Sequence, residues 1–382
     1  MKTCLLVVFS MILGSVSGIS NFNYGLHPQL SSDHPSLPIG SPAPPFSLPA
    51  TDGKTYSLTS FSKADVLVVV FTCNHCPTAQ AYEDRIVQLT KDYAPKNVSV
   101  IAIMPNDPVS INLDELGYTD MGDSFEEMKL RAKEKKFNFP YLYDGENEKV
   151  SLAYGPIATP HVFIFDKQRI LRYSGRIDDM EKPTKTPSQL DTRRAIDELL
   201  AGKQVSVPTT KVFGCSIKWA EKSNWIDKAK ASWAKEPVTL DSISDQGIKD
   251  LVENHTDKLR LINVWATWCG PCVTEFPEFI TMNRMYRKRD FEFISISADE
   301  MGKQNKALQF LQRQQASTKN YIYSGDSKYK LIEAIDPKWP GALPYTILVE
   351  PGGKIVFAKE GIIDPAELKK TIVENKYVGR YY

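Results

Sequence analysis

The chain has 382 residues, 42% of them hydrophobic and 24% charged, with a formal net charge of +1. That length exceeds one ordinary domain and supplies enough apolar residues for two cores. The balanced charge, with no long basic block, excludes the electrostatic footprint of a nucleic-acid-binding protein.

Residues 1–18 read as a secretory signal peptide, with Lys2 as a positive region, an apolar stretch over 5–13 and small residues up to Gly18. The stretch is too short to span a bilayer, and no other run reaches about 18 apolar residues, so no permanent membrane anchor is expected. Residues 19–37 form an extended lead-in, part of a segment to Pro45 that carries six prolines from Pro28 onward. Loss of Cys4 with the signal leaves five cysteines, namely Cys73, Cys76, Cys215, Cys269 and Cys272.

Past a hairpin arm over 54–59, the apolar run from Val66 to Phe71 predicts a buried strand that leads into Cys73-Asn74-His75-Cys76-Pro77. Tyr82, Ile86, Leu89 and Tyr93 recur at helical spacing, and Pro77 suits the first turn of that helix. A second strand is expected over 98–104 and a long polar loop over 105–123. Ser124-x-x-Glu127 is a capping box opening a helix to Lys136. A short strand (141–143), a helix near 147–154, two strands after Thr159-Pro160 (161–165 and 169–174) and a helix over 190–200 complete one α/β domain, assigned to residues 38–218. Residues 219–237 read as a linker.

The second domain, residues 238–382, repeats the plan. A helix near 245–253 precedes the run Leu261-Ile262-Asn263-Val264-Trp265-Ala266, which enters Trp268-Cys269-Gly270-Pro271-Cys272 and then a helix. A strand (291–297), helices over 303–314 and 328–334, Leu343-Pro344, strands over 345–350 and 354–359, and a final helix capped by Asp364 follow.

Strand, Cys-x-x-Cys, helix is the arrangement in which a dithiol does redox chemistry, because the unpaired N–H groups and dipole of a helix N-terminus favour thiolate over thiol. Two such pairs in an exported chain point to redox catalysis, since thiols outside the cytosol otherwise become disulfides. Zinc is the rival reading. It usually places its two pairs about 15–20 residues apart, far less than the separation of Cys76 from Cys269. Pro344 and Pro160, each opening a late strand, are candidate cis prolines beside the dithiols, against a plain reading as strand-edge prolines.

Residues from about 238 onward resemble the TlpA/ResA type of thioredoxin-fold reductase, on Trp265-Ala-Thr-Trp-Cys-Gly-Pro-Cys272, Glu275-Phe-Pro277 and Leu343-Pro344-Tyr-Thr-Ile. The resemblance implies Cys269 as attacking thiolate, Cys272 as resolving thiol, Pro344 as the cis proline and Glu275 as an acid that shapes cysteine pKa. Asn263 stands where thioredoxins proper carry a buried aspartate. The first domain resembles the peroxiredoxin-like AhpC/TSA, or redoxin, branch of the same fold, on Phe71-Thr-Cys-Asn-His-Cys-Pro77, Thr159-Pro160, Tyr173-Ser-Gly-Arg-Ile-Asp-Asp179 and Gly214-Cys-Ser-Ile-Lys-Trp219. It departs from a peroxidatic pattern: the positions three and seven before Cys73 hold Val70 and Val66, and those before Cys76 hold Cys73 and Val69. The fold class implied is α/β, two tandem thioredoxin-like domains, each a central mixed sheet flanked by helices.

The expected activity is thiol–disulfide exchange with protein clients through Cys269/Cys272 and Cys73/Cys76, with electrons passing from the second domain to the first. The alternatives are a peroxidase domain fused to its own reductant, and a redox-switched protein-binding module. His75 as an imidazolium would stabilise a Cys73 thiolate; an exposed, idle histidine is the plain alternative. Cys215 is a buried small hydrophobe, a third cysteine resolving Cys73, or an interchain thiol. No nucleotide fingerprint or flavin motif stands out, so no cofactor or metal is expected and a separate protein donor supplies electrons. The address implied is the periplasm or envelope of a bacterium.

Overall fold

A computed structural model describes residues 34–381. The signal peptide and most of the lead-in lie outside the described residues, and residues from His34 onward form one unit by contact.

A hairpin of β1 (Ser47–Pro49) and β2 (Thr55–Ser57) precedes β3 (Val66–Phe71), α1 (Pro77–Tyr93), β4 (Val98–Met104), α2 (Phe125–Glu134), β5 (Tyr141–Tyr143), α3 (Lys149–Tyr154), β6 (His161–Phe165), β7 (Leu171–Gly175) and α4 (Asp191–Leu200). The strands form a sheet of order β5-β4-β3-β6-β7, parallel among β5, β4 and β3 and antiparallel from β3 through β6 to β7. All six residues of β3 are buried because the sheet is covered on both faces. Val66, Val68 and Val70 face the cluster under α1, while Leu67, Val69 and Phe71 face the opposite cluster. Each fully buried side chain of this size contributes about 1.5–3 kcal/mol, which fixes β3 at the centre.

The second sheet has the same core with one more strand. After α5 (Asn224–Trp233) come β8 (Asp241–Ile243), α6 (Asp245–Glu253), β9 (Leu259–Trp265), α7 (Gly270–Tyr286), β10 (Phe291–Ser297), α8 (Gln304–Arg313), β11 (Lys319–Tyr323), α9 (Lys328–Ile335), β12 (Tyr345–Val349), β13 (Ile355–Glu360) and α10 (Pro365–Glu374). Their order is β13-β12-β9-β10-β11-β8, so β11-β10-β9-β12-β13 repeats the first sheet and β8 extends one edge. Both sheets are mixed and flanked by helices, as the fold class requires.

Three local features differ from the sequence reading. The polar stretch of β11, with Lys319 and Asn320, and the short β8 escape the hydrophobic pattern; backbone pairing, of β11 with β10 and of β8 with β11, makes them strands. The linker holds a helix, α5, in which Trp225 is exposed while Trp219 just before it is buried.

The loop over 105–123 makes two 3-10 turns, at Pro108–Ser110 and Leu113–Leu116, and inserts Ile111 and Leu116 into the core that contains Met282, Met285 and Tyr286 of α7. Tyr286 donates its hydroxyl to the Thr119 carbonyl at 2.9 Å, and Arg380 pairs with Asp120 at 2.9 Å. The two sheets are joined through this loop.

Candidate active sites

In the second sheet, β9 delivers the chain to Cys269, which is the N-cap of α7, with Pro271 in the first turn. Cys269 and Cys272 form a disulfide, and Cys269 Sγ accepts the Cys272 backbone N–H at 3.3 Å. Both are buried, Cys269 at 6% exposure more open than Cys272 at 1%. Trp268 beside them is 62% exposed, with the Lys328 ammonium over its ring. Large exposed aromatics next to a reactive group suit protein contact.

Glu275, one turn past Cys272, is buried. Its carboxylate accepts Asn263 Nδ2 at 3.3 Å and the Ile363 N–H at 3.0 Å. Burial pushes its pKa up to about 7 against these two hydrogen bonds. Glu275 is thus a buried acid rather than a solvated helix residue. Asn263 also donates to Thr346 Oγ1 of β12, which ties the acid to the strand that follows Pro344. The Leu343–Pro344 bond is cis, as is Thr159–Pro160.

In the first sheet, Cys76 is the N-cap of α1 and accepts the Ala79 N–H at 3.5 Å. Cys73 bonds Thr159 Oγ1 at 3.2 Å, and the Cys76 thiol donates to the Thr159 carbonyl at 3.4 Å, so both thiols touch the residue before Pro160. Neither thiol is oxidised, and both are buried.

His75 is buried too, with its Nδ1 2.7 Å from Asp123 Oδ2. Asp123 also accepts the backbone N–H groups of Asn74 and His75, at 2.9 and 3.0 Å, and Asn106 Nδ2 at 2.7 Å. Burial opposes charge on both partners, but their mutual attraction wins, raising His75 and lowering Asp123. Its burial and its bond to Asp123 overturn the exposed, idle histidine. Asp123 has no sequence signal beyond its place before the capping box of α2; only the fold carries it to the dithiol.

The expected effect of His75 on Cys73 is also corrected. Burial first, then the Cys76 hydrogen bond and the Asp123 charge, push the Cys73 thiol up. Cys76 goes the other way: burial raises it, but hydrogen bonds from Cys215 and Cys73, the His75 charge and the Ala79 N–H outweigh that. The Thr159 carbonyl near Cys76 favours its protonated form, and the four opposing interactions decide the direction. Of the two thiols, Cys76 is the one whose pKa is lowered.

Strand register explains this. Phe71 pairs with His161, the residue after Pro160, whereas Val264 pairs with Tyr345, the residue after Pro344. Five residues beyond Phe71 is Cys76 and five beyond Val264 is Cys269, both helix N-caps. Cys76 is thus the counterpart of Cys269, Ala79 of Cys272, and Cys73 of Ala266. The two Cys-x-x-Cys motifs are offset by three residues, so the first domain has no thiol where Cys272 stands.

Cys215 is half-buried and lies against Cys76, through which its own pKa is raised. Cys73 Sγ, a His75 ring nitrogen and an Asp123 oxygen lie within 4.8 Å of one another. His75 and Asp123 spend their facing atoms on each other, and a structural zinc site takes four ligands, so this set fits an ion pair better than a metal.

Two thioredoxin-like sheets, each presenting a cysteine at the N-cap of the helix after its central strand, define a thiol–disulfide oxidoreductase of the redoxin class. The chain belongs to the AhpC/TSA family, whose model matches residues 39–174 and again 226–358. It is similar to a thiol-disulfide oxidoreductase ResA of Bacillus cereus, 27% identical over 135 residues, 34% of this chain and 70% of that protein. The ResA of Bacillus subtilis (strain 168) is 26% identical over 95 residues, 25% of this chain and 49% of that protein.

Among solved structures, a hypothetical protein from Sinorhizobium meliloti 1021 is 32% identical, over 49% of this chain and 97% of that one, with a TM-score of 0.43. An uncharacterized conserved protein from Geobacillus kaustophilus is 38% identical, over 48% of this chain and 92% of that one, with a TM-score of 0.42. The protein is a thiol–disulfide oxidoreductase. No helix among the described residues is long and apolar enough to cross a membrane.

Proposed function

We propose that the protein is exported to a bacterial envelope and exchanges disulfides with protein clients mainly through Cys269 and Cys272. The observation that carries this is the placing of Cys269 as N-cap of α7 beside the exposed Trp268. Cys269 attacks the client disulfide, the mixed disulfide forms, and Cys272 releases the reduced client while the pair oxidises. Glu275 holds or gives up a proton near neutral pH as the Cys272 thiol ionises. A separate protein dithiol re-reduces the pair.

Direct electron transfer between the two dithiols of one chain is not expected. α7 spans about 25 Å along its axis, and its C-terminal end, Tyr286, is the end that meets the 105–123 loop, while the dithiol lies at the other.

The test is turnover of a model protein disulfide by the full chain and by Cys269→Ser and Cys76→Ser. Loss in Cys269→Ser alone supports the assignment. Full turnover in Cys269→Ser sinks it, and no turnover by wild type with retained binding of unfolded chains identifies a redox-switched binding module instead.

A second reading is favoured by the depressed pKa of Cys76 at its helix N-cap: the first domain reduces peroxides. Stopped-flow oxidation by hydrogen peroxide that is fast in wild type and absent in Cys76→Ser would select it.

A further inference from the structure

The residue before a late proline of this fold has a backbone edge beside the dithiol, where a client strand can pair. In the first domain that edge is taken. Thr159 and Cys215 form an antiparallel bridge, with the Thr159 N–H donating to the Cys215 carbonyl at 2.9 Å. Thr159 is also the residue that both Cys73 and Cys76 touch.

The tail carrying Cys215 is held along its length. Thr209 bridges Ser174 at the edge of β7, and Phe213 packs on the core under α1. Lys218 donates its N–H to Asn106 Oδ1 and accepts the Asp107 N–H, both at 2.9 Å. Gly214 permits the closest approach: a Cβ there would stand 2.0 Å from the Thr159 carbonyl oxygen. Any side chain at 214 therefore lifts the strand from Thr159.

We propose that Gly214–Cys215 is a tethered substrate strand, docked across Thr159 as a client would dock, and that Cys215 is the resolving thiol for Cys76. It supplies the thiol that the three-residue offset removes from position 79, which is alanine. The proposal rests on the first domain's dithiol being redox-active.

The exchange balances with a small disulfide, RSSR, as oxidant. The Cys76 thiolate attacks one sulfur and forms Cys76–S–S–R, releasing RS⁻, which takes up the proton Cys76 had lost. Cys215 attacks the Cys76 sulfur, the S–S bond between Cys76 and SR breaks, a Cys76–Cys215 disulfide forms, and the Cys215 proton goes to the second RS⁻. Two thiols are oxidised to one disulfide and RSSR is reduced to two RSH. Cys73 keeps its proton against Thr159. With the tail docked, protein clients are excluded from this dithiol and only small disulfides reach it.

The experiment oxidises the reduced full chain carrying Cys269→Ser and Cys272→Ser with hydroxyethyl disulfide, then maps disulfides by mass spectrometry without reduction. The expected product is the Cys76–Cys215 linked peptide. In Cys215→Ser, which keeps the strand, the small-disulfide adduct on Cys76 persists severalfold longer. In Gly214→Ala, a bulky maleimide labels Cys76 severalfold faster than in the parent.

A Cys73–Cys76 disulfide with Cys215 left free overturns the proposal while keeping the first domain redox-active. Absence of any first-domain disulfide overturns both. Equal maleimide rates with and without Gly214→Ala overturn the tethered-strand geometry.

Discussion

The two dithiols share a spelling and differ in placement. Around Cys269 the cysteines straddle the helix start, one as N-cap and one in the first turn. Around Cys76 they lie wholly upstream of α1, and the N-cap is the second cysteine rather than the first.

The charged neighbours differ as sharply. The buried acid of the second site, Glu275, has only neutral partners and is pushed up to about 7. The buried acid of the first, Asp123, is bonded to His75 and is pulled down. A motif therefore reports that two thiols are close; its offset from the helix start reports which one caps the helix.

The largest expected break in this comparison is at the nucleophiles. Cys269→Ser should reduce turnover of a protein disulfide to background, and Cys76→Ser should leave it intact while abolishing disulfide formation in the first domain, read by mass spectrometry after oxidation.

Next is Asp123→Asn, which leaves His75 buried without its counter-charge and should cost about 3–5 kcal/mol in urea unfolding. The sign of its pH dependence follows from both partners. Asp123, depressed, contributes above its ordinary value near 3.8 and loses this as pH falls through the lower folded value. His75, raised, contributes below about 6.5 and loses this as pH rises through its higher folded value. The gap between wild type and Asp123→Asn should be widest from about pH 4 to 6.5 and narrow on either side.

Leu116→Ala attacks the loop that joins the sheets. It deletes a side chain packed with Met285 and Tyr286 and should cost about 2–3 kcal/mol. Differential scanning calorimetry should show one unfolding transition separating into two, whereas a shift of a single transition would mean the sheets unfold together by other contacts.

The smallest effect is at Glu275. A carboxyl raised from 4.5 to about 7 contributes stability below pH 4.5 that is lost as pH rises through 7. Glu275→Gln should therefore be more stable than wild type by on the order of 1 kcal/mol at pH 8 and equal to it at pH 4. The pH profile of the second dithiol's exchange rate should lose an inflection near 7 in the same variant.

Much is legible in the chain because local physics decides it. β3, α1 and β4 run over the residues that hydrophobic periodicity and Pro77 assign, and the Ser124–Glu127 capping box forms as spelled. Glu275 and Pro344 are found through resemblance and stand in the second domain's core and before β12.

What stays hidden involves partners distant in sequence. Asp123 meets His75 across 48 residues, and Thr159 bonds Cys73 across 86. The 105–123 loop reads as a polar connection because its two buried apolar side chains face another domain's helix and so follow no period of their own. The sequence by itself determined the two α/β sheets, the thiols available and the helices that begin beside them, since these follow from burial periodicity and helix-start chemistry. Which thiol caps which helix, what charge surrounds it and which strand lies across Thr159 were settled only when backbone register brought residues far apart in the chain within hydrogen-bond distance.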